Sequence, residues 1–142
     1  MNDEKVIFWH DPALPASRAA LALVSDLGLE VDVVPILERP PSADDIGAAL
    51  RMLEMSPRRL VDRRAPEYAA LGLDGEAVTD AHLVAAMAAH PSLIQRPVVM
   101  LAGKAVLARP PERALALFHP RRDEIPLDGL PHGLAALLDR RG

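Results

Sequence analysis

The chain has no cysteine among its 142 residues. Disulfide bonds, thiolate metal sites and sulfur-based redox catalysis are therefore excluded. Aromatic residues are also few, with two Phe, one Trp and one Tyr, so the stacking surfaces that bind single-stranded nucleic acid are not expected. No apolar run approaches the roughly 20 residues of a membrane-spanning helix, and we expect no membrane partner.

Charge and composition favour an ordinary globular protein. The formal net charge is −4, so electrostatic attraction draws the molecule neither to nucleic acid nor to an anionic membrane surface. Half of the residues are hydrophobic, which is enough for one domain with its own core. The start of the chain, Met1–Lys5, is polar and unlike a signal peptide, and we expect a cytoplasmic protein.

Apolar periodicity and turn signals predict an α/β fold. The predicted elements are a strand at 6–9, a helix at 18–27, a strand at 30–35, helices at 43–55, 57–60, 67–71 and 80–89, strands at 98–101 and 104–107, and a helix at 109–117. The order β-α-β, helices, β-β-α is typical of a thioredoxin-like mixed sheet with a helical insertion. We assign residues 1–118 to this domain, with the insertion at about 42–90, and 119–142 to a tail with a short amphipathic helix, Gly133–Asp139.

The turn between the first strand and the first helix, His10–Arg18, is the main candidate site. Such a turn aims backbone N–H groups and the positive end of a helix dipole at one point. That arrangement holds an anion or lowers the pKa of a thiol. Here the turn is present without a thiol.

Five motifs follow one another at defined spacing. They are His10-Asp11-Pro12-Ala13-Leu14-Pro15-Ala16-Ser17-Arg18, Pro40-Pro41-Ser42, Tyr68-Ala69-Ala70-Leu71-Gly72-Leu73, His90-Pro91-Ser92-Leu93-Ile94-Gln95-Arg96-Pro97 and Arg109-Pro110-Pro111-Glu112. In this order they resemble the ArsC-type arsenate reductases and their relatives, including the Spx regulators, over roughly residues 5–118.

The resemblance implies a glutaredoxin-dependent oxidoreductase. In that family a cysteine of the turn attacks arsenate, and glutathione with glutaredoxin completes the reduction. A neighbouring histidine and three arginines lower the thiol pKa and bind the oxyanion. By position the cysteine falls on Leu14, and the arginines fall on Asp62, Arg96 and Arg109. The family pattern also implies a cis peptide bond before Pro97.

Four departures from the family pattern argue against this activity. Leu14 can neither attack arsenic nor cycle between redox states. Asp11 replaces an asparagine and Asp62 an arginine, and each acid repels an oxyanion. Pro15 lacks an N–H donor. We therefore predict no arsenate reductase activity and regard Leu14, Asp11 and Asp62 as degenerate positions of a pseudoenzyme.

Two interpretations of the remaining cations stay open. The candidate anion-binding residues are Arg96, Arg109, Arg18, Arg63 and His10. They either retain a site for an oxyanion or glutathione, or Arg96 and Arg109 form internal ion pairs with Asp11 and Asp62. We expect Leu14 to fill the former pocket and Ser17 to bond to the first turn of its helix.

Other polar clusters give weaker signals. Four scattered histidines lack the i, i+4 spacing of a helical metal site, so we expect neither a metal nor another cofactor. They are His82, His90, His119 and His132. We interpret the basic pairs Arg58-Arg59 and Arg63-Arg64 as a solvated or protein-docking surface and do not expect nucleic acid there.

The preferred hypothesis is a non-catalytic ArsC-like module that binds an unidentified protein partner. Spx regulators dock on RNA polymerase, so the resemblance offers a precedent for such a role. An oxyanion or glutathione binder that uses Arg96 is the alternative. The resemblance taken alone would assign an arsenate reductase.

Overall fold

A computed structural model describes residues 5–118, and the predicted tail helix at 133–139 lies outside these residues. The strands are β1 (Val6–His10), β2 (Val31–Pro35), β3 (Val98–Leu101) and β4 (Lys104–Leu107). The α-helices are α1 (Pro15–Ser25), α2 (Ala43–Leu53), α3 (Pro57–Leu60), α4 (Pro66–Ala70) and α5 (Asp80–Ala89), and two 3-10 helices span Pro91–Leu93 and Pro111–Phe118. The predicted order of strands and helices is confirmed, and the last predicted helix, at 109–117, is the 3-10 helix Pro111–Phe118.

The sheet has four strands in the order β2-β1-β3-β4. β1 runs parallel to β2 and antiparallel to β3, and Phe8 of β1 lies opposite Val33 on one side and Val99 on the other. β3 and β4 form an antiparallel hairpin. The sheet is therefore mixed, as predicted, and β1 is one of its two central strands.

The two faces of the sheet are covered by different apolar clusters. Val6 and Phe8 are fully buried and cluster with Ala20 and Val24 of α1. Trp9 points to the opposite face, because side chains alternate along a strand, and it joins a larger cluster built from the helices of the insertion. β1 therefore contributes to both cores.

Local capping signals fix two helix starts as predicted. The Ser42 hydroxyl accepts the Asp45 N–H at 3.0 Å, and the Asp45 carboxylate accepts the Ser42 N–H at 3.1 Å. At α5 the Thr79 hydroxyl accepts the His82 N–H at 3.1 Å. These side chains satisfy N–H groups that have no partner within the helix.

Helix α1 begins three residues before the predicted start at residue 18 and ends two before the predicted end at 27. Leu14 is the extended N-cap residue and Pro15 occupies the first helical position, where a missing N–H costs nothing. At the other end the Leu27 N–H bonds to Val24 O and the Gly28 N–H to Ser25 O, so the last turn tightens and Gly28 takes a φ of +78°. Within residues 5–118, every helix is too short or too polar to cross a membrane.

The Arg58 side chain has a structural role that the sequence did not reveal. Its guanidinium donates to the carbonyl oxygens of Leu73 at 3.4 Å, Gly75 at 3.3 Å and Val78 at 2.8 Å. It therefore closes the loop between α4 and α5 and is half-buried. Arg58 is therefore not part of the exposed basic surface to which the sequence analysis assigned it.

Replacing Arg58 by alanine should lower the free energy of unfolding by about 1.5–3 kcal/mol, since hydrogen bonds from a charged donor to partly buried carbonyls would be lost. Arg59→Ala is the matched control, because Arg59 is exposed and its loss should change stability by less than about 0.5 kcal/mol. Urea denaturation of both variants gives the comparison. Equal losses would contradict the role of Arg58.

Candidate functional site

The turn at the C-terminal end of β1 is built from residues 11–14, between a central strand and the start of α1. Leu14, the residue at the nucleophile position, is half-buried, whereas Pro12 and Ala13 are exposed. Its backbone is extended, with φ −92° and ψ 124°, and its side chain makes no capping hydrogen bond. An apolar side chain therefore stands where the helix dipole is most positive.

His10 and Ser17 form a buried hydrogen-bonded pair behind the turn. His10 Nδ1 lies 2.7 Å from Ser17 Oγ, and the same hydroxyl accepts the Asp11 N–H at 3.0 Å. A hydroxyl has one proton and two lone pairs, so Ser17 Oγ can accept the Asp11 N–H and still bond to Nδ1 in either tautomer of the ring. Ser17 is fully buried and joins strand to helix; the expected bond to the first turn of its helix is wrong.

The surroundings of His10 favour its neutral form. Burial lowers the pKa of His10 below its ordinary value of 6.5; the Asp11 carboxylate opposes this shift, and the Arg18 guanidinium adds to it. His10 is only 8% exposed. The neutral form of the ring is therefore favoured near pH 7.

This shift predicts a loss of stability on acidification. Below pH 6.5 the unfolded chain binds a proton at His10 that the folded chain resists, so the free energy of unfolding falls with decreasing pH until the folded ring also protonates. The slope from one such group is at most about 1.4 kcal/mol per pH unit. Denaturation at a series of pH values should show a shallower slope for His10→Gln, whereas His82→Gln at an exposed site should keep the wild-type slope.

Asp11 and Arg96 form a buried ion pair across the site. Arg96 Nε donates to Asp11 Oδ2 at 2.9 Å, and the two side chains are 12% and 5% exposed, respectively. Arg96 Nη1 also donates to the carbonyl oxygens of Ile94 at 2.6 Å and Ser92 at 3.2 Å. The guanidinium is therefore held by its own segment and by the turn. This agrees with the interpretation in which Arg96 forms an internal ion pair with Asp11.

The second internal ion pair of that interpretation is wrong. Asp62 Oδ1 accepts the Arg64 N–H at 2.9 Å, in a local turn, and does not pair with Arg109. Arg109 and Arg63 are exposed, and within residues 5–118 neither bonds to the turn. The Arg18 Nη1 group donates to Pro12 O at 2.7 Å. Of the five candidate anion-binding residues, all of which lie within the described part of the chain, Arg96, Arg18 and His10 lie at the turn, and Arg63 and Arg109 do not.

Backbone donors of the turn are already used. The Ala13 N–H donates to Asp11 Oδ1 at 3.0 Å and the Leu14 N–H to Asp11 O at 3.0 Å, while Pro12 and Pro15 have no N–H. With the Asp11 N–H given to Ser17, every N–H from residue 11 to residue 15 is absent or donated inward. The N–H groups of residues 11–15 are therefore bonded within the protein and are not available to bind a free anion.

The peptide bonds that follow two of the candidate arginines are both cis. They are Arg96–Pro97, which the family pattern implies, and Arg109–Pro110, which the sequence did not suggest. Two proline rings thus follow the arginines at the two ends of the β3–β4 segment.

Glu67 is a polar residue that no sequence motif had indicated. It is half-buried, and its Oε1 is buried without a hydrogen-bond partner within residues 5–118. Its own backbone N–H and the Ser92 hydroxyl lower the pKa of Glu67, burial raises it, and His90 lowers it further. Glu67 therefore lies beside the segment that leads to Arg96.

The described residues offer no obvious place for a metal, since no group of three or more metal-binding side chains occurs among 5–118. A cavity of about 210 Å³ lies elsewhere, against Ile7, Met52 and Met100. No residue of the 11–14 turn lines it. The turn is therefore not part of this cavity.

Comparison with known proteins places this geometry in a family. The sequence profile of the ArsC family matches residues 9–117. The chain is 35% identical to the Escherichia coli K12 protein YfgD, described as uncharacterized, over 80% of this chain and 97% of that protein. It is 33% identical to an arsenate reductase of Neisseria meningitidis, again over 80% of this chain and 97% of that protein.

A solved structure gives the same result for the fold. The arsenate reductase from Vibrio cholerae superposes with a TM-score of 0.77 at 34% identity, over 80% of this chain and 97% of that one. The matched region contains the turn, Arg96 and both cis prolines. Sequence profile, relatives and fold agree, and the chain belongs to the ArsC family.

Proposed function

We propose that this protein is a catalytically inactive member of the ArsC family that acts by binding another protein. The observation that carries the proposal is Leu14, an apolar N-cap residue at the position of the family's nucleophile, in a chain without cysteine. Arsenate reduction through a thiol requires a sulfur that bonds to arsenic and is then oxidised. The turn retains its fold and has lost that sulfur.

The surface of the turn supports a protein partner. Its exposed apex, Pro12-Ala13, and the half-buried Leu14 are apolar, and the exposed Arg18 is hydrogen-bonded to the same turn. Arginine is among the residues that protein interfaces enrich, and an interface has a core depleted of charge. A rigid, chemically inert apex of this kind suits recognition better than catalysis.

The competing proposal, an oxyanion or glutathione binder, has less support. Arg96 is paired with Asp11, and the N–H groups of the turn are already donated. A ligand present at about 100 times its dissociation constant would stabilise the fold by roughly 2.7 kcal/mol. We expect no such thermal shift of the wild type with arsenate, phosphate, sulfate or glutathione; a saturable shift lost in Arg96→Ala would favour the binder.

The first test of the proposal is an activity assay with arsenate, glutathione and glutaredoxin. We expect no turnover above the buffer rate, with an active arsenate reductase as the positive control. Turnover by the purified wild type would refute the inactive assignment, whatever the partner.

The second test asks whether the turn selects a partner. Leu14→Asp should preserve the fold, because aspartate is a favourable N-cap residue, but it places a charge on the apolar apex. Leu37→Asp is the matched control at another exposed leucine, 44% exposed. We expect a protein cross-linked by the wild type in native cell extract to be retained by Leu37→Asp and lost by Leu14→Asp. Identical cross-linking profiles for all three proteins would contradict a role for the turn.

A further inference from the structure

We propose that the turn and Arg96 form a carboxylate-binding site, and that the Asp11 side chain is its permanent occupant. The inference concerns the site's ligand chemistry and does not depend on the identity of a protein partner. It starts from the way in which the structure surrounds a single carboxylate.

Both oxygens of that carboxylate are bound by groups from different parts of the chain. Oδ2 accepts from Arg96 Nε at 2.9 Å, a residue 85 positions away in sequence. Oδ1 accepts the Ala13 N–H at 3.0 Å. A charged donor on one oxygen and a backbone donor on the other are what a receptor for a free carboxylate would supply.

The guanidinium of this contact is held by groups other than Asp11. Arg96 Nη1 is held by the carbonyl oxygens of Ile94 and Ser92, and Ile94 is further fixed by the bridge between it and Val61. The guanidinium should therefore keep its place when the Asp11 carboxylate is removed. Such preorganisation lowers the entropic cost of binding a replacement.

The Asp11 side chain is covalently part of the chain, and for this reason a dissolved carboxylate cannot displace it in the wild type. Asp11 is 3% exposed and reaches Arg96 from its own backbone, so its effective concentration exceeds that of a dissolved ligand at millimolar levels. Free carboxylates should compete only after the side chain has been shortened. The inference thus predicts chemical rescue.

The experiment measures the stability of Asp11→Ala in formate and in chloride at equal ionic strength. Formate has the charge and the size of the deleted group. We expect a saturable rise of the urea midpoint in formate, with half-saturation at millimolar or weaker concentrations because the ligand is so small. At about ten times the dissociation constant, the ratio of folded to unfolded protein should increase about tenfold.

Three controls make the rescue specific. Asp11→Asn should not respond, because the carboxamide fills the space, and the Asp11→Ala/Arg96→Ala double variant should not respond, because the guanidinium is gone. Asp62→Ala removes a carboxylate that bonds only to a local N–H, and it should be insensitive to formate. Formamide should fail with every variant, since it carries no charge.

The outcome is decisive even if Asp11→Ala does not fold in chloride. In that case formate should restore the near-ultraviolet circular dichroism of the folded chain. Equal effects of formate and chloride on Asp11→Ala, or equal rescue of the double variant, would overturn the proposal. Neither result would alter the assay for arsenate reduction, so the two proposals fail separately.

Discussion

Arg96→Ala should lower the free energy of unfolding by about 3–5 kcal/mol, because it leaves the Asp11 carboxylate buried without its cation. The Asp11 side chain is 5% exposed, so water cannot replace the guanidinium without opening the turn. The two carbonyl oxygens that Arg96 binds would also lose their donor. For a domain of this size the loss corresponds to a fall in Tm on the order of 10 °C.

Chemical denaturation of Arg96→Ala, Arg63→Ala and the Asp11→Ala/Arg96→Ala double variant checks this prediction. Arg63 is exposed, and its removal should change stability by less than about 0.5 kcal/mol. The double variant should be more stable than the sum of the single losses implies, since it removes the stranded charge together with its partner. A loss in Arg96→Ala no larger than that in Arg63→Ala would show that the pair contributes nothing.

Introducing a thiol at the nucleophile position should give a cysteine of low reactivity unless Asp11 is also changed. In Leu14→Cys the thiol stands at the N-cap of α1, where the helix dipole lowers its pKa. Asp11 raises the pKa of that thiol, because its carboxylate repels a thiolate. The carboxylate is close to residue 14, since it accepts the N–H of the neighbouring Ala13. It also keeps Arg96 from the thiolate.

The Leu14→Cys/Asp11→Asn double variant removes that repulsion and the carboxylate that neutralises Arg96. Each unit by which the thiol pKa falls increases the thiolate fraction about tenfold at pH values well below the pKa. Because a less basic thiolate is also less nucleophilic, we expect the rate of alkylation by iodoacetamide near neutral pH to rise by about threefold per unit. Because the chain contains no other cysteine, the pH profile of alkylation reports on residue 14 alone.

Leu14→Cys/Asp62→Asn is the matched control for the change of charge. Asp62 is engaged in its own local turn, so this variant should alkylate at the rate of the Leu14→Cys single variant. The same rate for the single variant and for Leu14→Cys/Asp11→Asn would mean that Asp11 does not govern the electrostatics of the turn. Arsenate turnover by Leu14→Cys alone would lead to the same conclusion.

Local features of the sequence were sufficient for most of the fold. The Ser42 and Thr79 caps, and the Ala102-Gly103 turn of the β3–β4 hairpin, depend on neighbours a few residues away, and they lie at the predicted helix starts and between the two predicted strands. The start of α1 was predicted at residue 18, three residues late, although Pro15 fits the first helical position. Such boundaries depend on a single residue's conformation.

The contacts of the site required the tertiary structure. Arg96 meets Asp11 across 85 residues and Arg58 meets Val78 across 20, and no periodicity in the sequence encodes either distance. The sequence could present the pairing of Arg96 and Arg109 with acids only as one of two alternatives. In the structure Arg96 pairs with Asp11, whereas Arg109 is exposed and the Asp62 carboxylate accepts the Arg64 N–H in its own turn.

The central position of β1 has a consequence for how the molecule opens. Phe8 packs on one face of the sheet and Trp9 on the other, so neither apolar cluster can come apart while the other stays intact. Partial unfolding of one layer should therefore be rare, and the amide protons of β1 should exchange with solvent only when the whole domain unfolds. Since the turn continues directly from this strand, its shape should persist for as long as the domain stays folded.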